Sequence, residues 1–101
     1  IMNENKDHFE LLRVIQKKPE SSQRELAKEL GFSLGKLNYC IKGLQLRGLV
    51  KLKFFKKNPK KINYLYLLTP RGIAAKTAIT INYMKIKMKE FEDLKKELEN
   101  K

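Results

Sequence analysis

At 101 residues, the chain is long enough for one domain with a modest core. It has 23 lysines and arginines against 11 acidic residues, a formal charge of +12 that is typical of polyanion binders. A single cysteine excludes an intrachain disulfide, and no run approaches the roughly 18 apolar residues of a membrane span. Because the N-terminal stretch is also too polar for a secretory signal, we expect a cytoplasmic protein without membrane contact.

The charges are unevenly distributed along the chain. Residues 1–29 carry six acids and six bases, residues 30–89 carry 14 bases and no acid, and residues 90–101 carry five acids and three bases. A lysine-rich surface often serves solubility alone, but such a long stretch without a carboxylate favours nucleic acid as the partner. It also argues against an enzyme, because general acid–base chemistry needs paired titratable groups, and we expect no cofactor.

The first predicted helix runs from a cap at Asp7 to about Lys17, and Pro19 stops it. Its apolar contacts are Phe9, Leu11, Leu12 and Ile15. The only histidine, His8, has no cysteine or second histidine near it in sequence. We therefore expect a surface or partly packed side chain there rather than a metal ligand.

The stretch 22–50 predicts two helices joined by a tight turn. Ser22 and Glu25 have the spacing of a capping box, so the first of these helices begins near Gln23. Gly31 is suited to the left-handed conformation that ends a helix.

A second helix follows, capped by Ser33 and closed by Gly48. Its inner stripe consists of Leu37, Cys40, Ile41 and Leu44, while Lys36, Asn38, Tyr39 and Lys42 project from its other sides. Two helices about a short turn containing glycine form a helix-turn-helix, whose second helix enters the DNA major groove.

After Gly48 the sequence period changes to two, which predicts a strand from Val50 to Phe54. The turn residues Asn58-Pro59 and a second strand, 62–68, complete a β-hairpin. Four lysines crowd its tip, namely Lys56, Lys57, Lys60 and Lys61. They are suited to phosphate contacts, or alternatively they protect the sheet edge and keep it soluble. We favour phosphate because the hairpin directly follows the second helix of the motif.

Thr69-Pro70 begins a last helix that runs to about Asn100 without a further proline, about 46 Å at full length. A compact domain of this size has a radius of gyration near 13 Å, so the helix should project from it. An imperfect heptad predicts coiled-coil dimerisation through Ile81, Met84, Met88, Phe91 and Leu98. The competing interpretation is a helix lying on its own domain, with Ile73, Ala74, Ala78 and Ile79 as contacts; beyond about Met84 we expect a partner chain.

These elements predict a mainly α fold with a small β-hairpin (α+β). A winged helix-turn-helix DNA-binding domain occupies residues 1–69, and a dimerisation helix occupies residues 70–101.

The motifs SQRELAKELGFSLGKLNYCIKGLQLRGLV and YLYLLTPRGIAAK resemble the MarR-type transcriptional regulators, and most of all the short EPS-associated branch found with exopolysaccharide gene clusters. The resemblance extends from about His8 to Leu98. This chain is shorter than the larger MarR proteins, with no extra N-terminal dimerisation helix and one helix after the wing. The effector pocket of the larger proteins is therefore not carried over, and any small-molecule effector is unknown.

The resemblance implies base contacts from the second helix of the motif, where this sequence offers Ser33, Gly35, Lys36, Asn38, Tyr39 and Lys42. The two lysines are suited to guanine edges or phosphates, Asn38 to adenine, and Tyr39 to a phosphate or a thymine methyl group. Three residues at the start of the preceding helix, Ser22, Gln23 and Arg24, are candidates for backbone phosphates.

The sequence thus predicts a homodimeric transcriptional regulator that binds double-stranded DNA at a pseudo-palindromic operator, with half-sites about 10 base pairs apart. Two alternatives remain open. One is an architectural or nucleoid protein that binds DNA without sequence preference, and the other is a winged-helix module that binds a protein.

Overall fold

The computed structural model describes the backbone of residues 4–58 and 61–100, and the side chains of residues 6–54 and 64–100. In chain order the elements are α1 Glu4–Lys17, α2 Gln23–Leu30, α3 Leu34–Leu46, β1 Val50–Asn58, β2 Lys61–Leu68 and α4 Pro70–Glu99. The strands pair antiparallel, with Val50 opposite Leu68 and Phe54 opposite Tyr64. The predicted class is confirmed: a winged helix-turn-helix with a two-stranded hairpin, followed by a long C-terminal helix.

Local signals define the helix-turn-helix. The backbone N–H of Glu25 donates to Ser22 Oγ at 3.1 Å, and the N–H of Ser22 donates to Glu25 Oε1 at 3.2 Å, which completes the capping box. Gly31 ends α2 at a φ of 71°, a conformation that side chains with a Cβ rarely adopt. Ser33 Oγ then accepts from the N–H of Lys36 at 3.1 Å and caps α3. The predicted caps and turn are therefore confirmed.

The core lies where α1, α2 and α3 meet the base of the hairpin. Its largest fully buried side chains are Leu11, Leu12, Ile15, Leu26, Leu37, Ile41 and Leu44. The start of α4 is attached to the turn after α3, where Thr69 Oγ1 donates to the carbonyl of Gly48. A Cβ at Gly72 would lie 1.9 Å from the carbonyl oxygen of Leu49, so only glycine permits this close approach.

Three predicted details are wrong. Helix α1 begins at Glu4, so Asp7 lies inside the helix and does not cap it. His8 is only 5% exposed and is buried between α1 and α3, because the side of α1 that carries it faces α3. The strands also extend further than their alternating pattern indicated, since backbone pairing continues through the polar residues to Asn58 and from Lys61.

Helix α4 packs on α1 along its first half and then projects. Its half-buried side chains after Gly72 are Ala75, Lys76, Ile79, Thr80 and Tyr83, and the rings of Tyr83 and Phe9 lie 5.2 Å apart. Of the four residues expected to contact the domain, only Ile79 is half-buried and the other three are exposed, because packing on α1 sets the rotation of the helix. Projection is confirmed by a longest dimension of 69 Å and a radius of gyration of 17.5 Å.

Candidate nucleic-acid interface

The outer face of α3 is a continuous ridge of four residues, Gly35, Tyr39, Lys42 and Leu46, which we call the α3 ridge. Their spacing of four, three and four places them on one side of the helix, opposite the buried stripe of Leu37, Cys40, Ile41 and Leu44. Tyr39 is 68% exposed and Leu46 is 89% exposed. The Tyr39 ring and the Lys42 ammonium thus face outward together, and Gly35, without a side chain, leaves its backbone open to close approach. Such a surface is suited to base edges and phosphates.

Lys36 lies at the side of this ridge and is already paired. Its Nζ is 3.0 Å from Asp7 Oδ2 on α1 and 4.3 Å from the centroid of the Phe32 ring. The ammonium is therefore directed toward α1 rather than toward the ridge. Of the two predicted lysines, Lys42 is the one on the outward face.

Asn38 lies at the other side of the ridge, in a chain of hydrogen bonds between three elements. Asn38 Nδ2 donates to Gln23 Oε1 at 3.3 Å, and Gln23 Nε2 donates to Tyr66 Oη at 3.0 Å. Gln23 therefore connects α3 to strand β2 of the wing. Its side chain serves this bridge, whereas the sequence predicted a phosphate contact for it.

The start of α2 presents two further predicted residues. Ser22 Oγ accepts the capping hydrogen bond, and Arg24 is exposed, without a hydrogen bond or ion pair to any described residue. The hydrogen bonds from Ser22, first its backbone N–H, hold the pKa of Glu25 below its ordinary value. Arg24 is an exposed cation at this helix start, and its contact with a phosphate stays a prediction.

The wing is described only at its base. The lysines predicted to contact phosphates, Lys56, Lys57, Lys60 and Lys61, have side chains outside the described residues. Below them, Lys51 and Lys53 are exposed, and the exposed rings of Phe54 and Tyr64 pack edge to face at 5.1 Å. The described part of the wing therefore adds two cations and an aromatic pair to the basic surface.

Every residue predicted to dimerise is exposed on the projecting part of α4. Relative exposure ranges from 48% at Ile81 to 70% at Leu98, with Met84, Met88 and Phe91 between them. Exposed apolar side chains at heptad spacing on a projecting helix are typical of a helix-pairing surface.

The described residues also bear on metal binding and on membrane insertion. No three histidine, cysteine, aspartate or glutamate side chains there are grouped as metal ligands would be. None of the described helices combines the length and apolar character needed to cross a bilayer.

Three residues of the interface were missed by the sequence prediction. Tyr66 was assigned only to a strand, yet its hydroxyl ends the hydrogen-bond chain to Asn38. Asp7 was assigned to a helix cap, and it pairs with Lys36. Leu46 was not assigned, although its place seven residues after Tyr39 puts it on the ridge.

Comparison with known proteins supports the same architecture. Residues 5–51 match the family model described as winged helix-turn-helix DNA-binding. No match is found among curated protein sequences.

Three solved structures have a similar fold. Staphylococcus aureus MarR, in complex with salicylate and kanamycin, has a TM-score of 0.71 at 15% identity over 86% of this chain and 57% of its own. A MarR-family transcription regulator has a TM-score of 0.69 at 23% identity, covering 85% of this chain and 55% of its own. Streptococcus pneumoniae FabT, in complex with DNA, has a TM-score of 0.64 at 18% identity, covering 86% of this chain and 59% of its own.

The chain thus spans little more than half the length of these three proteins. The family model covers the helix-turn-helix, and the structural likeness extends over most of the chain. Together they show that this chain has the winged helix-turn-helix fold found in MarR-type regulators.

Proposed function

We propose that this chain is a transcriptional regulator that binds double-stranded DNA in the cytoplasm, with the α3 ridge in the major groove. The observation that carries the proposal is the ridge itself: Gly35, Tyr39 and Lys42 face outward from a capped helix, in a stretch of sixty residues without one acid. Arg24 at the start of α2 and the lysines of the wing supply phosphate contacts on either side. FabT, a protein of similar fold, has been solved in complex with DNA, which supports DNA as the partner.

The protein acts as a homodimer through the exposed heptad of α4, and the dimer binds a pseudo-palindromic operator. A twofold dimer presents two α3 ridges, which are suited to half-sites one helical turn apart. The sequence motifs quoted above support the narrower assignment to the EPS-associated branch.

Selection of bound duplexes from a random-sequence pool tests sequence recognition. We expect enrichment of an inverted repeat with half-sites about 10 base pairs apart. Enrichment of no motif, with binding retained, would identify the non-specific architectural alternative. Capture of a protein partner with no duplex binding at low salt would identify the protein-interaction alternative.

A salt titration tests the phosphate contacts independently. If each dimer neutralises six to ten phosphates, affinity falls roughly 10³- to 10⁵-fold between 50 and 200 mM salt. A flat response would contradict the proposal, because it would mean that the basic surface does not lie against the DNA backbone.

A further inference from the structure

The last twenty residues of α4 have opposite charges on their two halves. Residues 80–89 contain three lysines and no acid, whereas residues 90–99 contain five acids and two lysines. All ten residues of the second half are exposed, as are the three lysines of the first. The boundary between the halves falls between Lys89 and Glu90, near the middle of the exposed heptad from Ile81 to Leu98.

We propose that a second copy of this chain occupies the exposed heptad in an antiparallel arrangement, with the twofold axis passing between Lys89 and Glu90. This deepens the homodimer of the proposed function and rests on it. Each basic half then lies along the acidic half of its partner. In a parallel pair, each basic half would lie along the partner's basic half and each acidic half along the partner's acidic half. This repulsion is unfavourable within a Debye length of about 8–10 Å.

The heptad closes into complete layers about the same axis. An antiparallel pair places Ile81 against the partner's Leu98, and Met88 against the partner's Phe91. The core positions of the heptad from Ile81 to Leu98 form the seam, and Lys95 is its one charged residue. Lys95 is placed against the partner's Met84, where its aliphatic stem covers an apolar side chain and its ammonium reaches water. A parallel pair would place Lys95 against its own copy, two like charges in one layer.

The residues that flank the seam also distinguish the two arrangements. In the antiparallel pair Lys85 approaches the partner's Glu92, and the symmetry repeats the contact. In a parallel pair the corresponding contact joins Lys87 to Glu92. Lys87 is already engaged with Glu90 of its own helix, at 3.3 Å. The antiparallel contact therefore uses a lysine that has no such partner among the described residues.

The resulting spacing is suited to DNA. The segments of α4 that pack on the winged domains, each centred at Ile79, are then about 32 Å apart along the common axis at 1.5 Å per residue. Half-sites on one face of B-DNA are about 34 Å apart. The antiparallel pair thus holds two winged domains at the separation of successive major grooves.

Disulfide trapping in the full chain tests the arrangement. In a Cys40→Ala background, the double variant Ile81→Cys/Leu98→Cys should form a covalent dimer under mild oxidation, because each new cysteine faces the other type across the seam. The single variants Ile81→Cys and Leu98→Cys should not, since each cysteine is about 26 Å from its own copy. Asp93→Cys, on the outer side of the helix, is the matched control for random collision.

Charge reversal is the second test. Lys85→Glu and Glu92→Lys should each weaken self-association roughly 3- to 10-fold, and the double variant should restore it. The parallel arrangement predicts restoration with Lys87→Glu instead. Sedimentation equilibrium at low salt measures each dissociation constant.

The outcomes separate this inference from the function on which it rests. A dimer in which single variants cross-link, or in which neither the single nor the double variants do, would overturn the antiparallel pairing and leave the homodimer standing. A wild-type chain that sediments as a monomer overturns the homodimer itself. Loss of duplex binding in a wild-type dimer would contradict the DNA-binding function alone.

Discussion

The two lysines at the start and middle of α3 differ in what surrounds them. Lys36 is held 3.0 Å from Asp7, whereas Lys42 lies on the outward ridge. We expect Lys42→Ala to weaken operator binding by about 1–3 kcal/mol and to relax selection at one or two positions. Lys36→Ala should have a smaller effect on binding, because its ammonium already has a partner.

Fluorescence anisotropy with operator and scrambled duplexes measures both changes. Lys36→Ala should also cost less than about 1 kcal/mol of folding stability in urea, as expected for a partly exposed ion pair. Equal losses from both variants on operator and scrambled DNA would mean that the α3 ridge does not read sequence.

Tyr66 lies on β2, and its hydroxyl is linked through Gln23 to Asn38, which we predict to contact a base. Tyr66→Phe removes the acceptor of Gln23 Nε2 and frees the amide that orients Asn38. We expect weaker discrimination at the base pair that Asn38 contacts, with general DNA affinity and its salt dependence unchanged. Selection from a random pool measures the change.

Tyr64→Phe is the matched control, because Tyr64 is on the same strand, with no hydrogen bond from its hydroxyl to a described residue. If Tyr66→Phe and Tyr64→Phe leave the same selected motif as the wild type, the hydrogen-bond chain does not affect base reading.

The helical period predicts which side chains of α3 are exposed, but it does not predict which residues they contact. The exposed positions of Tyr39 and Lys42 follow from the spacing of the buried stripe alone. The contacts of Lys36 with Asp7 and of Gln23 with Tyr66 join residues 29 and 43 positions apart in sequence. Such pairs depend on how whole elements pack, which no local pattern specifies.

At the scale of elements, the junction between α4 and the winged domain depends on Gly72. Gly72→Ala would place a methyl group 1.9 Å from the carbonyl oxygen of Leu49, and a backbone atom cannot move aside cheaply. We expect a loss of about 3 kcal/mol or more in the free energy of unfolding, measured by urea denaturation.

Gly35→Ala is the control for this substitution, since a Cβ there meets no atom within 4 Å. It should stabilise α3 by up to about 1 kcal/mol through helix propensity. An unchanged free energy of unfolding in Gly72→Ala would contradict the close approach of α4 to the turn after α3.

The capping box at the start of α2 gives one pH dependence. Hydrogen bonds from Ser22 lower the pKa of Glu25 in the folded chain, so the unfolded chain takes up the proton first as pH falls. The contribution of the Glu25 carboxylate to the free energy of unfolding is therefore present above the ordinary glutamate pKa. It is lost as pH falls through the lowered pKa of the folded chain. Thermal unfolding of Glu25→Gln and wild type should differ at neutral pH and converge in acid. A difference that persists unchanged in acid would contradict this origin.

The caps of α2, α3 and α4 and the element order were readable from the sequence because they depend on residues within a few positions of each other. The face of α4 that contacts the domain was not, since Ala75, Ile79 and Tyr83 face α1 while the equally apolar Ile73 is exposed. Burial on a helix with apolar residues on several sides is decided by its neighbour. The lysines of the wing tip stay predictions, because their side chains lie outside the described residues.

The molecule as a whole separates a basic winged domain from a projecting helix of mixed charge. The core side chains all come from α1 to β2, and the half-buried residues of α4 end at Tyr83. We therefore expect the winged domain to keep its fold without the last part of α4. In the proposed function, affinity for phosphate and pairing with a second copy belong to different parts of the chain.

Removal of residues 84–101 separates these two properties. The segment carries six lysines and five acids, so the formal charge changes only from +12 to +11. We expect a cooperatively folded monomer that binds a half-site and a full operator with similar affinity, because the second winged domain is no longer attached. The slope of log K against log salt concentration should fall by about half, since half as many phosphates are neutralised. A truncated chain that stays dimeric, or that keeps the full operator affinity and slope, would place the dimer contact in the winged domain instead of in α4.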